Sequence, residues 1–267
     1  MNQNLGLPSV RQSVALLGVL FLSLLTPLCP VVMATGLKAP AGDADGYLPA
    51  TGGAPTPNLP RNAAVMDQSA YAMGKMTWNV IMLESNGAID ANQENWTAGE
   101  IAQMQAEIAQ AKTYWEGLTA GFHPNARLTI DVHYENGGVP MATGYEPINR
   151  SSGSDSLWIN QAMNTLGYVN ANHFTNVRNY NQARRVADNN HWAATIFIVD
   201  DTIDAGNDFT NGSFAYAYFG GPYTVLTQGN DGWGNTNFNM VLSHEMGHIF
   251  NALDEYPQSG VRNTQRG

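Results

Sequence analysis

His244 and His248 stand four residues apart, with Glu245 beside the first, in the run 241–256, VLSHEMGHIFNALDEY. On a helix this spacing brings two side chains to one face, one turn from each other. Two imidazoles so placed can converge on one Zn²⁺, which takes nitrogen ligands at about 2.0–2.1 Å. Glu245, next to the first ligand, can then accept a proton from water at the metal. Val241, Leu242, Met246, Gly247, Ile249 and Phe250 are uncharged, which suits a helix buried on the sides that do not face a metal. The plainer reading of the same residues is a buried amphipathic helix whose histidines only form hydrogen bonds.

A zinc that works on water takes three protein ligands and keeps its fourth position open. Asp254 lies six residues past His248. On a continuing helix it would be turned by roughly 240° and lie about 9 Å further along, too far to share the ion. The helix must therefore break. Asn251 is placed to break it, because asparagine tolerates the left-handed conformation that ends helices. Glu255 would lie about 10 Å along an unbroken helix, so it needs a turn as well. A ligand from outside this stretch is the third alternative. Tyr256 reads either as a packing tyrosine or as a hydrogen-bond donor beside the site.

The pattern His244-Glu245-x-x-His248-x-x-Asn251-x-x-Asp254 resembles the metzincin zinc signature HExxHxxGxxH/D, in the aspartate form of the snapalysin-like proteases. The end of the run, Asp254-Glu255-Tyr256, is similar to the motif of IgA-peptidase-like metallopeptidases. The resemblance implies zinc ligands at His244, His248 and Asp254, and a catalytic base at Glu245. Glu255 and Tyr256 would stand just outside the ligand set. It implies an α/β (α+β) fold, a twisted mixed sheet packed on helices, with the active-site helix near the C-terminus. The chain departs from the pattern twice. Asn251 replaces the usual glycine, and no methionine follows Met246 to form the Met-turn under the zinc. The expectation is a sequence cut short, or a site closed in another way.

The activity so implied is that of a secreted zinc endopeptidase. Its polypeptide substrate would lie extended along an edge strand upstream of the motif, a place occupied here by residues 213–219. Two other readings stand beside it. One is a metal-stabilised adhesion or surface-binding module, against which Glu245 speaks, since structural zinc needs no base. The other is a zinc amidase acting on cell-wall material by the same water chemistry.

The elements that must position these residues read as follows. Met76–Leu83 is rich in strand formers. Thr97-Ala98-Gly99-Glu100 has the form of a capping box. It opens a helix with an apolar stripe at Ile101, Met104, Ile108, Ala111, Tyr114 and Trp115. Leu128–Tyr134 alternates with period two, and His133 falls among its polar positions, as a surface residue rather than a ligand. Helices are expected over 155–166 and 175–188. The unbroken apolar run 193–199 suits a strand buried on both faces. Asp200, Asp201, Asp204 and Asp208 follow it. Carboxylates can hold Ca²⁺, but their spacing matches no calcium loop, so a solvated acidic loop is expected. Residues 213–219 and 223–226 read as two short strands parted by Gly220-Gly221-Pro222.

Residues 1–34 have the form of a secretory leader. Arg11 precedes a short apolar run, and Val32 and Ala34 offer a cleavage site. The run is shorter than the ~20 residues that span a bilayer. Once the leader is removed, no membrane partner is expected. Cys29, the only cysteine, would leave with it, so the mature domain would hold no disulfide. Residues 35–62 read as a Gly/Pro-rich linker or short pro-segment, and 63–267 as the metallopeptidase domain. The chain carries 12 Lys and Arg against 22 Asp and Glu, an excess of negative charge that argues against a nucleic-acid partner.

Overall fold

The computed structural model describes residues 72–122 and 127–254. The leader, the linker segment, Glu255 and Tyr256 lie outside the described residues. Six strands form one mixed sheet: β1 (Gly74–Ser85), β2 (Leu128–Tyr134), β3 (Met141–Thr143), β4 (Trp192–Val199), β5 (Ala215–Ala217) and β6 (Tyr223–Thr227). Their order is β2-β1-β4-β6-β5, with β3 pairing the far end of β1 beyond β2. All neighbours are parallel except β5, which returns antiparallel to β6 at the edge. Among the described residues, four α-helices accompany the sheet: α1 (Ala98–Phe122), α2 (Asp155–Thr165), α3 (His173–Ala187) and α4 (Phe238–Ile249).

Alternation along the strands divides the core into two layers. Met76, Trp78, Val80 and Met82 of β1, with Ala194, Ile196 and Ile198 of β4, pack on one face against Met104, Ile108 and Ala111 of α1 and Leu242, Met246 and Ile249 of α4. Ile81, Leu83, Phe197 and Val199 face the other way, against Trp158, Ile159 and Met163 of α2 and Val177 and Tyr180 of α3. Helices on both faces explain why every residue of β4 is apolar or small and buried. The fold is thus α/β in arrangement, with helices on both sides of the sheet rather than on one.

The capping box at the start of α1 forms in both directions. Glu100 N–H donates to Thr97 Oγ1 at 3.3 Å, and Thr97 N–H donates to Glu100 Oε2 at 2.6 Å. The apolar stripe of α1 holds except at Tyr114, which is 55% exposed. His133 pairs with Glu135 at 3.3 Å, both half-buried, and is not part of the His244, His248 and Asp254 group. The strand expected over 213–219 is shorter, only Ala215–Ala217, while β3 adds a strand that no sequence pattern announces.

One buried polar group ties the second layer together. Asp155, the first residue of α2, accepts the hydroxyls of Tyr216 at 3.0 Å, Tyr218 at 3.2 Å and Tyr223 at 3.0 Å. All three converge on Oδ2, so one buried carboxyl oxygen gathers the three hydroxyls. The bonds fix the start of α2 to β5 and β6. Among the described residues, no helix is long and apolar enough to cross a membrane.

Candidate metal centre

The helix carrying the two histidines, α4, lies on α1. Its N-cap residue, Asn237, makes no side-chain cap. The free amide of Asn239, in the first turn, instead donates to Glu107 Oε2 of α1 at 3.4 Å. A buried carboxylate at a helix N-terminus satisfies an orphan N–H and complements the helix dipole. At the other end the ring of Phe250 packs on Trp115 of α1, with centroids 5.4 Å apart. The two helices are therefore pinned at both ends of α4.

The helix breaks where the sequence places the break. Asn251 has φ +67°, in the left-handed region. Its N–H donates to the His248 carbonyl at 2.8 Å, and the Ala252 N–H donates to the Gly247 carbonyl at 2.9 Å. Those two bonds, one spanning three residues and one spanning five, make a Schellman ending with Asn251 at the left-handed position. The chain doubles back, and Asp254, 1% exposed, arrives beside the histidines.

His244 Nε2 and His248 Nε2 both lie 3.2 Å from the same oxygen, Asp254 Oδ1, and 3.2 Å from each other. Tetrahedral zinc with bonds of about 2.0–2.1 Å holds its ligand atoms about 3.3–3.4 Å apart. An equilateral triangle of two imidazole nitrogens and one carboxylate oxygen at this spacing fits the ion. Proton placement agrees. His248 Nδ1 lies 2.8 Å from the Ala252 carbonyl, which can only accept, so Nδ1 carries the proton. In the neutral ring Nε2 then presents a lone pair toward Asp254 Oδ1, another acceptor. A cation between them reconciles two acceptors facing each other. Among the described residues these three form the one group of three or more histidine, cysteine or acidic side chains whose ligand atoms lie close enough together to share a metal ion.

Glu245 is fully buried, and no hydrogen-bond donor among the described residues reaches either carboxyl oxygen. Burial, with the Asp254 charge adding to it, pushes its carboxyl well above the ordinary range. The His244 imidazole is pushed down by burial and by His248, more than Asp254 raises it. Its side chain is nonetheless 43% exposed, so the triangle opens to solvent on the His244 side.

The segment after β5 leans on the centre. The ring of Phe219 meets the His248 ring edge-on, with centroids 5.4 Å apart, and Gly220 N–H donates to the His248 carbonyl at 3.2 Å. Gly220 has φ +53°, and a Cβ there would come 2.8 Å from Asn251 Oδ1. The conformation favours glycine, and any side chain there would have to displace the Asn251 amide. The sequence marks this spot only as a turn. Residues 213–218 are all buried, so toward the histidines this edge becomes accessible at Phe219 and Gly220.

Of the four acidic residues after β4, Asp204 and Asp208 are half-buried in a largely exposed loop, but the first two are not solvated. Asp200 and Asp201 are each 1% exposed. They sit at the carboxyl ends of the parallel strands, where Asp201 accepts the Gly229 N–H with both oxygens at 2.9 Å. The sequence also gave no sign of Glu107 as the cap of α4, or of the Ala252 carbonyl that orients His248, since neither belongs to a spaced motif.

No protein-family profile matches this chain, and no curated protein or solved structure matches it significantly.

Proposed function

We propose that the chain is a secreted zinc-dependent endopeptidase of metzincin type. The observation that carries the reading is the 3.2 Å triangle of His244 Nε2, His248 Nε2 and Asp254 Oδ1. The unpartnered Glu245 carboxyl beside it supports catalysis over a structural role. A purely structural zinc site closes with four protein ligands and needs no buried acid without a donor. The mixed sheet, with its antiparallel edge strand just ahead of the motif helix, is also what a metzincin-like zincin would have.

Zinc bound by these three residues supplies Lewis-acid polarisation of a carbonyl and activation of water at neutral pH. His248 is held in the tautomer that offers Nε2, through its bond to Ala252. Glu245 takes a proton at one carboxyl oxygen as water attacks the peptide carbonyl, and returns it to the departing amine. Phe219 and Gly220, the accessible end of the sheet edge, lie against His248, so a peptide bond brought to the triangle passes them. The buried length of β5 leaves main-chain pairing with substrate to this short segment.

The test is zinc content and hydrolysis measured on the same preparation of full chain. One zinc per chain is expected, with cleavage of an unfolded polypeptide that Glu245→Gln abolishes while zinc stays bound. A zinc-loaded wild-type chain that cleaves no peptide bond would overturn the endopeptidase reading. Cleavage of cell-wall amides alone would transfer the same chemistry to an amidase.

A further inference from the structure

The hydroxyl of Thr202, in the loop after β4, has three oxygen neighbours. Asp200 Oδ1 lies at 2.7 Å, Glu100 Oε1 at 3.0 Å and Gln228 Oε1 at 3.2 Å. A hydroxyl carries one proton, so it can satisfy only one of the three. Asp200 itself is 1% exposed, and its second oxygen, Oδ2, has no hydrogen-bond donor among the described residues. A half-satisfied buried carboxylate is costly unless something positive meets it.

No side chain supplies that charge. Among the described residues, no lysine or arginine bonds to Asp200, Glu100, Thr202 or Gln228, and ion pairs such as Lys112–Glu116, Arg150–Asp90 and Arg184–Asp188 lie elsewhere. The surroundings are acidic instead. Glu94, Glu146 and Asp201 are buried nearby, and the Asp200 charge acts on all three. Their oxygens serve the backbone: Glu94 accepts from Ile203 N–H, Glu146 from Gln93 and Glu94 N–H, and Asp201 from Gly229 N–H. Asp200 Oδ1 also accepts the Thr202 N–H at 3.1 Å and Glu100 Oε2 the Thr97 N–H, which leaves Asp200 Oδ2 without a donor and Glu100 Oε1 and Gln228 Oε1 competing with Asp200 for the one Thr202 hydroxyl proton.

We propose that Asp200, Glu100, Thr202 and Gln228 form a calcium site that ties the loop after β4 to the start of α1 and the end of β6. The ligand chemistry is that of a hard cation: two carboxylates, a hydroxyl and an amide oxygen, with no nitrogen or sulfur. The spacing agrees. Six to eight oxygens at about 2.3–2.6 Å from Ca²⁺ sit about 2.8–3.5 Å from one another, and the contacts of Thr202 Oγ1 run from 2.7 to 3.2 Å. Glu100 lies on the solvent side, where water can complete the coordination. The position, beyond the carboxyl ends of parallel strands, is where open parallel sheets take their ligands. Calcium suits the group better than magnesium, which demands near-ideal octahedral geometry. None of the four residues belongs to the histidine centre, so the site stands whether or not the chain is a peptidase.

Calorimetric titration of CaCl₂ into zinc-loaded, calcium-free full chain tests this, with thermal melts alongside. One calcium per chain is expected, with a dissociation constant on the order of 10⁻⁴ M, as extracellular calcium modules show. Asp200→Asn should abolish the binding. Glu100→Gln should weaken it at least tenfold while the calcium-free chain still folds, because glutamine still closes the capping box with Thr97. Glu100→Gln therefore decides the matter even if Asp200→Asn fails to fold. Gln228→Glu, which adds a carboxylate, should tighten binding several-fold. The proposal is overturned by a wild-type chain showing no heat and no melting shift up to about 10 mM calcium, well above such a constant. Unchanged affinity in Glu100→Gln overturns it too. So does an equal response to magnesium, which would mark screening of the acidic surface rather than a site.

Discussion

The proton on His248 Nδ1 is shared with the carbonyl of Ala252, 2.8 Å away and just past the end of the same helix. The turn that stops α4 therefore does two things at once. It orients one histidine through its far nitrogen, and it carries Asp254 back to the near nitrogens of both. Metal affinity should depend on the shape of this turn as much as on the ligands.

Asn251 is the residue that sets the shape, at φ +67°. Asn251→Gly should keep zinc, because glycine adopts this conformation freely. Asn251→Val puts a β-branched residue in the left-handed region, at a strain of about 1–3 kcal/mol. Zinc retained after dialysis against a mild chelator is the measurement. The valine variant should lose metal that wild type and glycine variant keep. Equal retention by all three would show that the turn does not govern the centre.

Asp254 is the third ligand in this arrangement. Asp254→Ala should remove zinc under the same dialysis and remove hydrolysis with it. Glu255→Ala should hold most of its metal. The reverse pattern would assign the ligand to Glu255 and separate this turn from the metzincin spacing.

Glu245 predicts opposite effects on activity and stability. Glu245→Gln removes the general base, and hydrolysis should fall by about 10²–10⁴-fold with zinc still bound. The same change removes a carboxyl whose charged form is penalised by full burial. The metal-free variant should therefore melt above metal-free wild type at pH 8. Near-normal turnover would remove Glu245 from the mechanism, and a lower melt would show that its carboxyl has a donor in solution.

Much of this centre was legible because it is local. His244, Glu245, His248, Asn251 and Asp254 sit within eleven consecutive residues, and helical geometry alone shows that Asp254 cannot reach the metal without a break at Asn251. The strands β1, β2, β4 and β6 were legible for a similar reason, since burial on a parallel sheet writes continuous or alternating apolar runs. What escaped depends on contacts distant in sequence. Glu107 caps α4 from a helix 132 positions earlier, at Asn239. Asp155 gathers three tyrosines, in or next to β5 and β6, from more than 60 residues away. A carboxylate in a polar stretch reads as solvated unless its partners are known, which is why Asp200 and Asp201 were expected in solvent and lie buried. Residues 213–219 have the composition of a strand along their whole length, yet only Ala215–Ala217 pair with β6. The chain turns away at Phe219 and Gly220 to meet His248.

The buried acids at the carboxyl end of the sheet should make stability fall as pH rises in calcium-free buffer. Burial, against the backbone bonds that oppose it, pushes Glu146 from 4.5 up to about 7. The same cause takes Asp201 from 3.8 up to about 7. Below pH about 4 the folded and unfolded chains both keep these protons, and the groups contribute nothing to the difference. Between about 4 and 7 the unfolded chain releases protons that the folded chain retains. The folded state binds more protons through that window, so each step upward in pH costs stability, until the loss is complete above it. Glu146→Gln leaves an amide oxygen to accept the Gln93 and Glu94 N–H groups and removes the charge. It should raise stability at pH 7.5, leave it nearly unchanged at pH 4, and flatten the slope between them. Urea unfolding of wild type and variant across this range measures the effect. A wild-type midpoint that rises from pH 5 to 7.5, or a variant with the wild-type slope, would show that Glu146 is ionised without penalty in the folded chain.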